Sequence, residues 1–494
     1  PYGDWTRFEY DAQGREIRIV RGFQDAPTTS SVDQCRATIL HYAGDTQLAS
    51  HNYPVGDDVQ RFNDRRPRMI IETLLGQEIS RSYHVYTTDS HIVKQVRTPA
   101  AAYDDPSNLC RIQRSVSSGV HLGRPASVEH EDGTFTTIDY FYDAPIQELT
   151  RIEERGSGAL NNITNGIRSI SVINKTGQAI SLESMDIASG LTISDQRYTY
   201  DVFGRTLISS NALSATASHF TYGCCGLEQV RDADGLESDQ THTELRQLES
   251  TTRAGVTSTL KYDSRGKVTE TRVSAPGQTD IATSSTFDKA GRLITTTNAL
   301  GFATHFAVTN TPLSGRRESV VLPDGENQVT EYYRDGQVKR ITGSAASPVF
   351  YDHGVTPDGS TWTRAYAGTN ALATQWVESS FDALGNATNT VTPDGHQVTV
   401  EFDAFGREVR RSQDGLSAQL VRYDDRSQPV LSALDLNDNG TIDLPGIDRI
   451  SGSYQRVEIA NGKAVLRSEA FVYPDIGTAS PRTVSTSLAA ADGN

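Results

Sequence analysis

No stretch of this 494-residue chain approaches the eighteen or more apolar residues that a membrane-spanning helix needs. Lysine is scarce, with seven Lys against thirty-nine Arg, and acidic residues outnumber basic ones to a net charge of −16. A nucleic-acid binder should instead carry a basic stripe, so that class is excluded. Four cysteines (Cys35, Cys110, Cys224 and Cys225) are too few to scaffold so long a chain, and they form no CxxC pair or Cys/His cluster with zinc spacing. The Leu, Ala, Lys and Glu content that long helices favour is low, whereas Thr, Ser, Gly, Asp and Arg abound. That mixture suits short strands joined by many turns. The histidines are scattered, and no HExxH, GxSxG or Walker loop appears. No catalytic residue is assigned, and the expectation is a protein that is not an enzyme. The chain starts at Pro1 with neither an initiator Met nor a signal peptide and opens almost directly on a repeat, which is read as a piece of a longer protein.

What the chain has in quantity is one motif, aromatic-Asp-x-x-Gly-(Arg/Lys/Asn), present six times. The copies are Tyr10-Asp11-x-x-Gly14, Tyr200-Asp201-x-x-Gly204, Tyr262-Asp263-x-x-Gly266, Phe287-Asp288-x-x-Gly291, Phe381-Asp382-x-x-Gly385 and Phe402-Asp403-x-x-Gly406. Self-similarity of this kind marks a repeat architecture. Around the last copy, Val398, Val400 and Phe402 alternate with Gln397, Thr399 and Glu401, the period of a half-buried strand. Asp403 then opens a turn by accepting from backbone N–H groups one or two residues on, and Gly406 suits the left-handed position that closes it. Val409 restarts the alternation, so the unit is a β-hairpin.

A second turn, usually Asp-Gly, separates successive copies, as at Asp234-Gly235, Asp324-Gly325, Asp394-Gly395 and Asp414-Gly415. Degenerate copies fill gaps at Tyr222-Gly223-Cys224-Cys225-Gly226, Tyr333-Arg334-Asp335-Gly336 and Tyr423-Asp424-Asp425-Arg426. Single hairpins are marginal in water, so they must pair edge to edge, and native twist makes the resulting ribbon coil. Three stretches are expected. Residues 1–195 carry divergent hairpins with one clear unit at 8–20, residues 196–430 form the regular ribbon, and residues 431–494 hold an Asp/Asn-rich loop and terminal hairpins. The aromatics are expected to form a cross-strand ladder that packs the ribbon, which outweighs a sugar-stacking reading.

These residues resemble the YD-repeat (RHS-repeat) family, whose signature reads close to Tyr-Asp-x-x-Gly-Arg-Leu and whose members include bacterial Rhs proteins, toxin-complex B/C shell components, wall-associated proteins and teneurins. The resemblance is clear from about 196 to 430 and at 8–20. It implies an all-β fold, a long antiparallel ribbon coiled into a hollow shell or spiral barrel, as a segment of a larger protein. It also implies a non-enzymatic role in enclosing or displaying a cargo polypeptide. Toxin-bearing relatives end their shell in an Asp-Pro-x-Gly-type protease segment. The only Asp-Pro here is Asp105-Pro106, without that context.

Two further features are candidates for chemistry. Asp435, Asn437, Asn439, Thr441 and Asp443 space their oxygens, with Gly440 between, like the start of a calcium loop, so structural calcium is the one cofactor considered. Position 12 is Gly446 where an acid is expected, Asp448 lies two residues late, and the competing reading is an ordinary Asp/Asn-rich hairpin loop. Cys224-Cys225 are read as small, partly buried thiols filling the two variable positions of a turn, the alternatives being soft-metal ligands, a vicinal disulfide or pairing with distant cysteines. The expected partners are other segments of the same large protein, copies of itself, or an enclosed polypeptide, and the expected location is secreted or cell-surface. An extracellular filament-forming or adhesive protein is the second reading, and a glycan-binding module the third.

Overall fold

Every backbone pairing joins a strand to its immediate neighbour in sequence, and all are antiparallel. The computed structural model describes residues 5–56, 58, 64–311, 315–474 and 480–491, and within them 37 strands form one unclosed sheet. One short helix, Thr46–Ser50, and one 3-10 turn, Val32–Gln34, interrupt it. The fold is therefore all-β, as the hairpin periodicity requires. In the strand Gln397–Phe402, Val400 is buried while Gln397 and Glu401 are exposed, which matches the alternation in the sequence.

A meander has turns along two edges. The edge that carries the repeat motif is here the signature edge, and the other the return edge. One five-residue loop geometry recurs on both. At the signature edge the Asp403 N–H donates to the Arg407 carbonyl (2.9 Å) and the Gly406 N–H to the Asp403 carbonyl (3.1 Å). At the return edge Leu322 and Glu326 pair in the same way (2.8 Å), closed by the Gly325 N–H on the Leu322 carbonyl (3.0 Å). The turns at Asp234-Gly235, Asp324-Gly325 and Asp394-Gly395 are thus signature turns with the acid moved from the first position to the third, where Asp324 Oδ1 accepts from the Glu326 N–H (3.0 Å). Asp414-Gly415 is instead a two-residue loop between Gln413 and Leu416.

The ribbon coils until its return edge meets its own signature edge about 300 residues later. Gln24 touches Asp335, Arg97 touches Phe402, and Ser157 touches Asp425, separations of 311, 305 and 268 residues. Twenty-three strands, Arg36–His41 through Asn327–Tyr332, lie between the Gln24 and Asp335 turns. At about 4.8 Å per strand this contour is about 110 Å, a ring about 35 Å across between backbones. Closed barrels of 16 to 18 strands already leave an aqueous channel, so a winding of this size is a hollow wall. The accessible surface agrees: 27593 Å² against about 18,000 Å² for a compact chain of this mass.

Buried residues are correspondingly few and local. Leu48 and Tyr53 cluster with the buried strand residues Met69, Tyr83 and Val85, and Ala383 of the next winding packs on them. Phe23, Leu74 and Ile79 meet Val355 across the same seam. A third cluster, Leu420, Leu431, Ala433 and Ile450, is capped by Ile442 and Leu444 from the 435–448 loop.

Candidate functional site

The motif residues build a latch between neighbouring hairpins. The aromatic ends its strand at a β-bulge: Phe402 pairs with Glu408 while Glu401 pairs with Arg410, leaving Val409 extra. The same register shift occurs at Tyr10, Tyr200, Tyr262, Phe287 and Phe381. Such a bulge sharpens twist locally, so the repeat itself supplies the coil. Next in the chain, Asp403 Oδ1 accepts from the backbone N–H of Phe405 (2.9 Å) and Arg407 (3.0 Å), and Oδ2 accepts from Arg407 Nε (2.8 Å). Asp11, Asp201 and Asp288 make the same three bonds with their own turns. At Asp382, Asn386 Nδ2 takes the guanidinium's place (3.1 Å). At Asp263, Lys267 offers only its backbone and Arg265 Nη2 reaches the carboxylate instead (3.2 Å). The glycines at the fourth turn position all have φ between +70° and +85°.

These bonds set the carboxylates' acidity. Burial pushes Asp403 upward, but the Arg407 guanidinium, with the Arg407 and Phe405 amides, outweighs it and holds the carboxyl below its ordinary range. For Asp288 the Arg292 amide is the main cause of the same downward shift. The acids are structural acceptors already engaged by donors.

At three copies the Arg that follows the Gly turns back to its own Asp and also covers an aromatic of the next hairpin. Arg15 lies 4.4 Å from the Tyr42 ring centre, Arg205 4.6 Å from Tyr222, and Arg407 4.6 Å from Tyr423. At four such positions a Tyr hydroxyl donates to the residue just after the latch position of the previous turn: Tyr42 to the Glu16 carbonyl (2.7 Å), Tyr200 to Ala179 (2.5 Å), Tyr262 to Leu248 (2.6 Å) and Tyr423 to Glu408 (2.8 Å). The expected ladder of ring against ring is corrected here. Among the described residues no two signature aromatics are in ring contact, and at Tyr42, Tyr222 and Tyr423 a guanidinium covers the ring instead. The copy read at Tyr333 is likewise shifted by one. Tyr332 takes the bulge position and Tyr333 the Asp position, its N–H donating to the Gln337 carbonyl (2.8 Å).

The seam between windings was not legible in the sequence. The Gln24 N–H donates to Asp335 (2.6 Å), Gln24 Nε2 to Asp352 (2.8 Å), and Lys339 Nζ to Asp25 (2.5 Å). The Arg97 guanidinium donates to the Asp403 and Phe402 carbonyls, so a signature turn is also a seam contact. Burial pushes the Asp335 carboxyl upward, against the amides of Gln337 and Gln24. A Cβ on Gly133 would sit 3.1 Å from the Phe405 ring, and the φ of +78° at Gly133 already favours glycine. Phe405 is 43% exposed, whereas Phe203, at the same turn position on the free edge, is 80% exposed. A cavity of ≈ 650 Å³ opens in the seam, lined among others by Trp5, Phe23, Asp335, His353 and Trp362.

In the loop expected to take calcium the polar groups bond to one another. Asp435, 1% exposed, accepts from the N–H groups of Asn439 (3.1 Å) and Gly440 (2.8 Å). Asn437 and Asn439 direct their amide nitrogens at Asp443 (2.8 and 2.9 Å), and the Thr441 hydroxyl donates to Asn439 (2.9 Å). Asp448 folds back so that its carboxylate accepts from Leu436 (3.1 Å) and Asp443 (3.0 Å). Among the described residues no three His, Cys, Asp or Glu side chains converge as a metal-holding group. Cys224 and Cys225 are free thiols, the first exposed and the second half-buried, at the tip of a signature-edge turn. Among the described residues no helix is long and apolar enough to cross a membrane.

Residues 225–434 match the family model described as Teneurin YD-shell. Three solved structures are similar over 95% of this chain. A TcdB2-TccC3-Cdc42 structure shares 11% identity with a TM-score of 0.29 over 31% of its chain. The Photorhabdus luminescens Tc holotoxin pore carrying TccC3-D651A shares 16% with a TM-score of 0.40 over 23%. A TcdB2-TccC3 structure shares 10% with a TM-score of 0.29 over 35%. The chain thus spans about a quarter to a third of the chains it matches, and no curated protein matches it in sequence. The shell model matches 225–434, and the same latch recurs outside it at Tyr10 and Tyr200, so the repeat unit of that shell runs beyond the matched residues.

Proposed function

We propose that this chain is a wall segment of a secreted or cell-surface protein, whose coiled ribbon encloses or displays a cargo polypeptide and performs no catalysis. The observation that carries the reading is the seam: return edge meets signature edge through donors and acceptors on residues about 300 apart, which turns a ribbon into a wall around a space. Two edges remain outside that seam. The signature edge of the first winding presents Leu122, Phe203 and Leu245, and the return edge from residue 300 onward presents Leu300, Leu372 and Leu416, all strongly exposed. Their position supports contact with further windings of the same longer protein as the natural partner. The 435–443 loop enters the proposal as a calcium-stiffened corner, and that part rests on oxygen spacing alone.

Limited proteolysis of the full-length natural protein tests the reading. A segment held inside the wall should resist cleavage until the seam is opened by Arg97→Ala with Phe405→Ala. Equal cleavage with the seam intact would overturn enclosure. A filament of end-to-end copies, the second reading, would instead give assembly that grows with concentration and no protected segment.

A further inference from the structure

The signature-edge turn after Tyr222 is one residue shorter than the motif turns. Tyr222 pairs with Leu227, one residue closer than Tyr200 with Thr206, and the Gly223 N–H donates to the Gly226 carbonyl at 3.0 Å. Cys224 and Cys225 are therefore the whole tip of a tight hairpin loop. Their Sγ atoms lie 2.9 Å apart, and both are free. Two side chains from the ribbon brace the tip. A Cβ on Gly223 would meet the Glu228 carboxylate at 1.7 Å, and one on Gly226 would meet His242 Nε2 at 2.7 Å, so these side chains fill the space beside the flanking glycines. The other two cysteines are differently placed: Cys35 is fully buried, and Cys110 lies within the strand Leu109–Ser115.

We propose that Cys224-Cys225 is a redox-exchangeable dithiol that reacts with small-molecule disulfides and closes into a vicinal disulfide. The Cys224 thiolate, on the exposed side, attacks one sulfur of R–S–S–R. A Cys224–S–S–R bond forms, the R–S–S–R bond breaks, and one R–S⁻ leaves to take up a proton. Cys225, deprotonated by solvent, then attacks the Cys224 sulfur, forming the Sγ–Sγ bond and expelling the second R–S⁻. Two protein thiols are oxidised and one small disulfide is reduced to two thiols, so atoms and electrons balance. The order follows from exposure. It is reinforced at Cys225, whose hydrogen bond with Cys224, together with burial, holds the thiol above its ordinary range. Closure needs the sulfurs to move from 2.9 Å to about 2.05 Å. The loop tip carries no ladder pair, so the Tyr222–Leu227 pairing survives the reaction.

The test uses the 494-residue chain exposed to oxidised glutathione, followed by alkylation and peptide mass analysis. Wild type should lose two alkylatable thiols, both on the 224–225 peptide, with no glutathione retained. C225S should stop at the mixed disulfide and keep glutathione on Cys224, while C110S should behave as wild type. Glutathione retained on wild-type Cys224, or both thiols of the pair remaining alkylatable, would overturn the proposal. Far-UV circular dichroism of each variant separates a folding failure from a chemical one.

Discussion

The guanidinium of Arg407 lies 4.6 Å from the centre of the Tyr423 ring while its Nε donates to Asp403 at 2.8 Å. One side chain thus fixes its own turn and clamps the next hairpin. Arg407→Ala removes both contacts, and since Arg407 and Asp403 are each about one-fifth exposed, screening is incomplete. The expected cost is about 1–2 kcal/mol in denaturant unfolding. Arg407→Lys should recover part of it, because a Lys keeps charge but not the planar face. Equal stability of wild type and the alanine variant would remove the latch from the account.

Phe405 and Phe203 occupy equivalent turn positions, but only Phe405 reaches the other winding, at Gly133. Phe405→Ala should cost about 1–2 kcal/mol, less than a fully buried ring. Phe203→Ala should stay within about 0.5 kcal/mol. Thermal melts of the two variants check the difference, and equal losses would mean that the seam contributes nothing there.

Asp11, Asp201, Asp263, Asp288 and Asp403 all have carboxyls held below their ordinary range. A depressed folded-state pKa stabilises fully above the unfolded value, about 3.9, and that contribution is lost as pH falls through the folded pKa. Stability against urea should therefore be flat from neutral pH to about pH 5 and fall below about pH 4. A chain with Asp201, Asp288 and Asp403 all changed to Asn should show a shallower acid limb. An unchanged limb would place the acid sensitivity elsewhere.

Calcium bound at the 435–443 loop would raise the melting temperature relative to chelator. At one hundred times the dissociation constant the gain is about 2.7 kcal/mol. Asp443→Asn together with Asp448→Asn should abolish that gain. Identical melts with calcium and with chelator would leave the loop a self-satisfied turn.

How much the sequence disclosed follows the range of each interaction. The latch turn was legible because Asp403, Gly406 and Arg407 bond within five residues, where spacing alone dictates partners. The hairpins were legible from alternation such as that of Val398, Val400 and Phe402. The ring ladder was misread because the Arg between rungs comes from a different hairpin than the ring it covers, as with Arg205 and Tyr222. The Tyr332 copy was misregistered because two adjacent tyrosines satisfy the same pattern. The seam partners Gln24 and Asp335 carried no signal. Their meeting is set by twist accumulated over 23 strands, and no single residue encodes that pitch.

Strictly sequential pairing also dictates an order of assembly. Each strand finds its partner within the next hairpin, so a chain emerging from its N-terminus can zip up unit by unit without waiting for distant sequence. Only the seam must wait, since Gln24 has no partner until Asp335 has appeared. The first winding grows as an open arc and becomes a wall late. A truncation ending at Val321 should therefore keep its strand signal in circular dichroism while leaving Gln24 and Arg97 readily cleaved around. If such an arc were unstructured, assembly would be all-or-none. On the enclosing role proposed above, whatever lies within the arc while it is open is what the completed winding would retain.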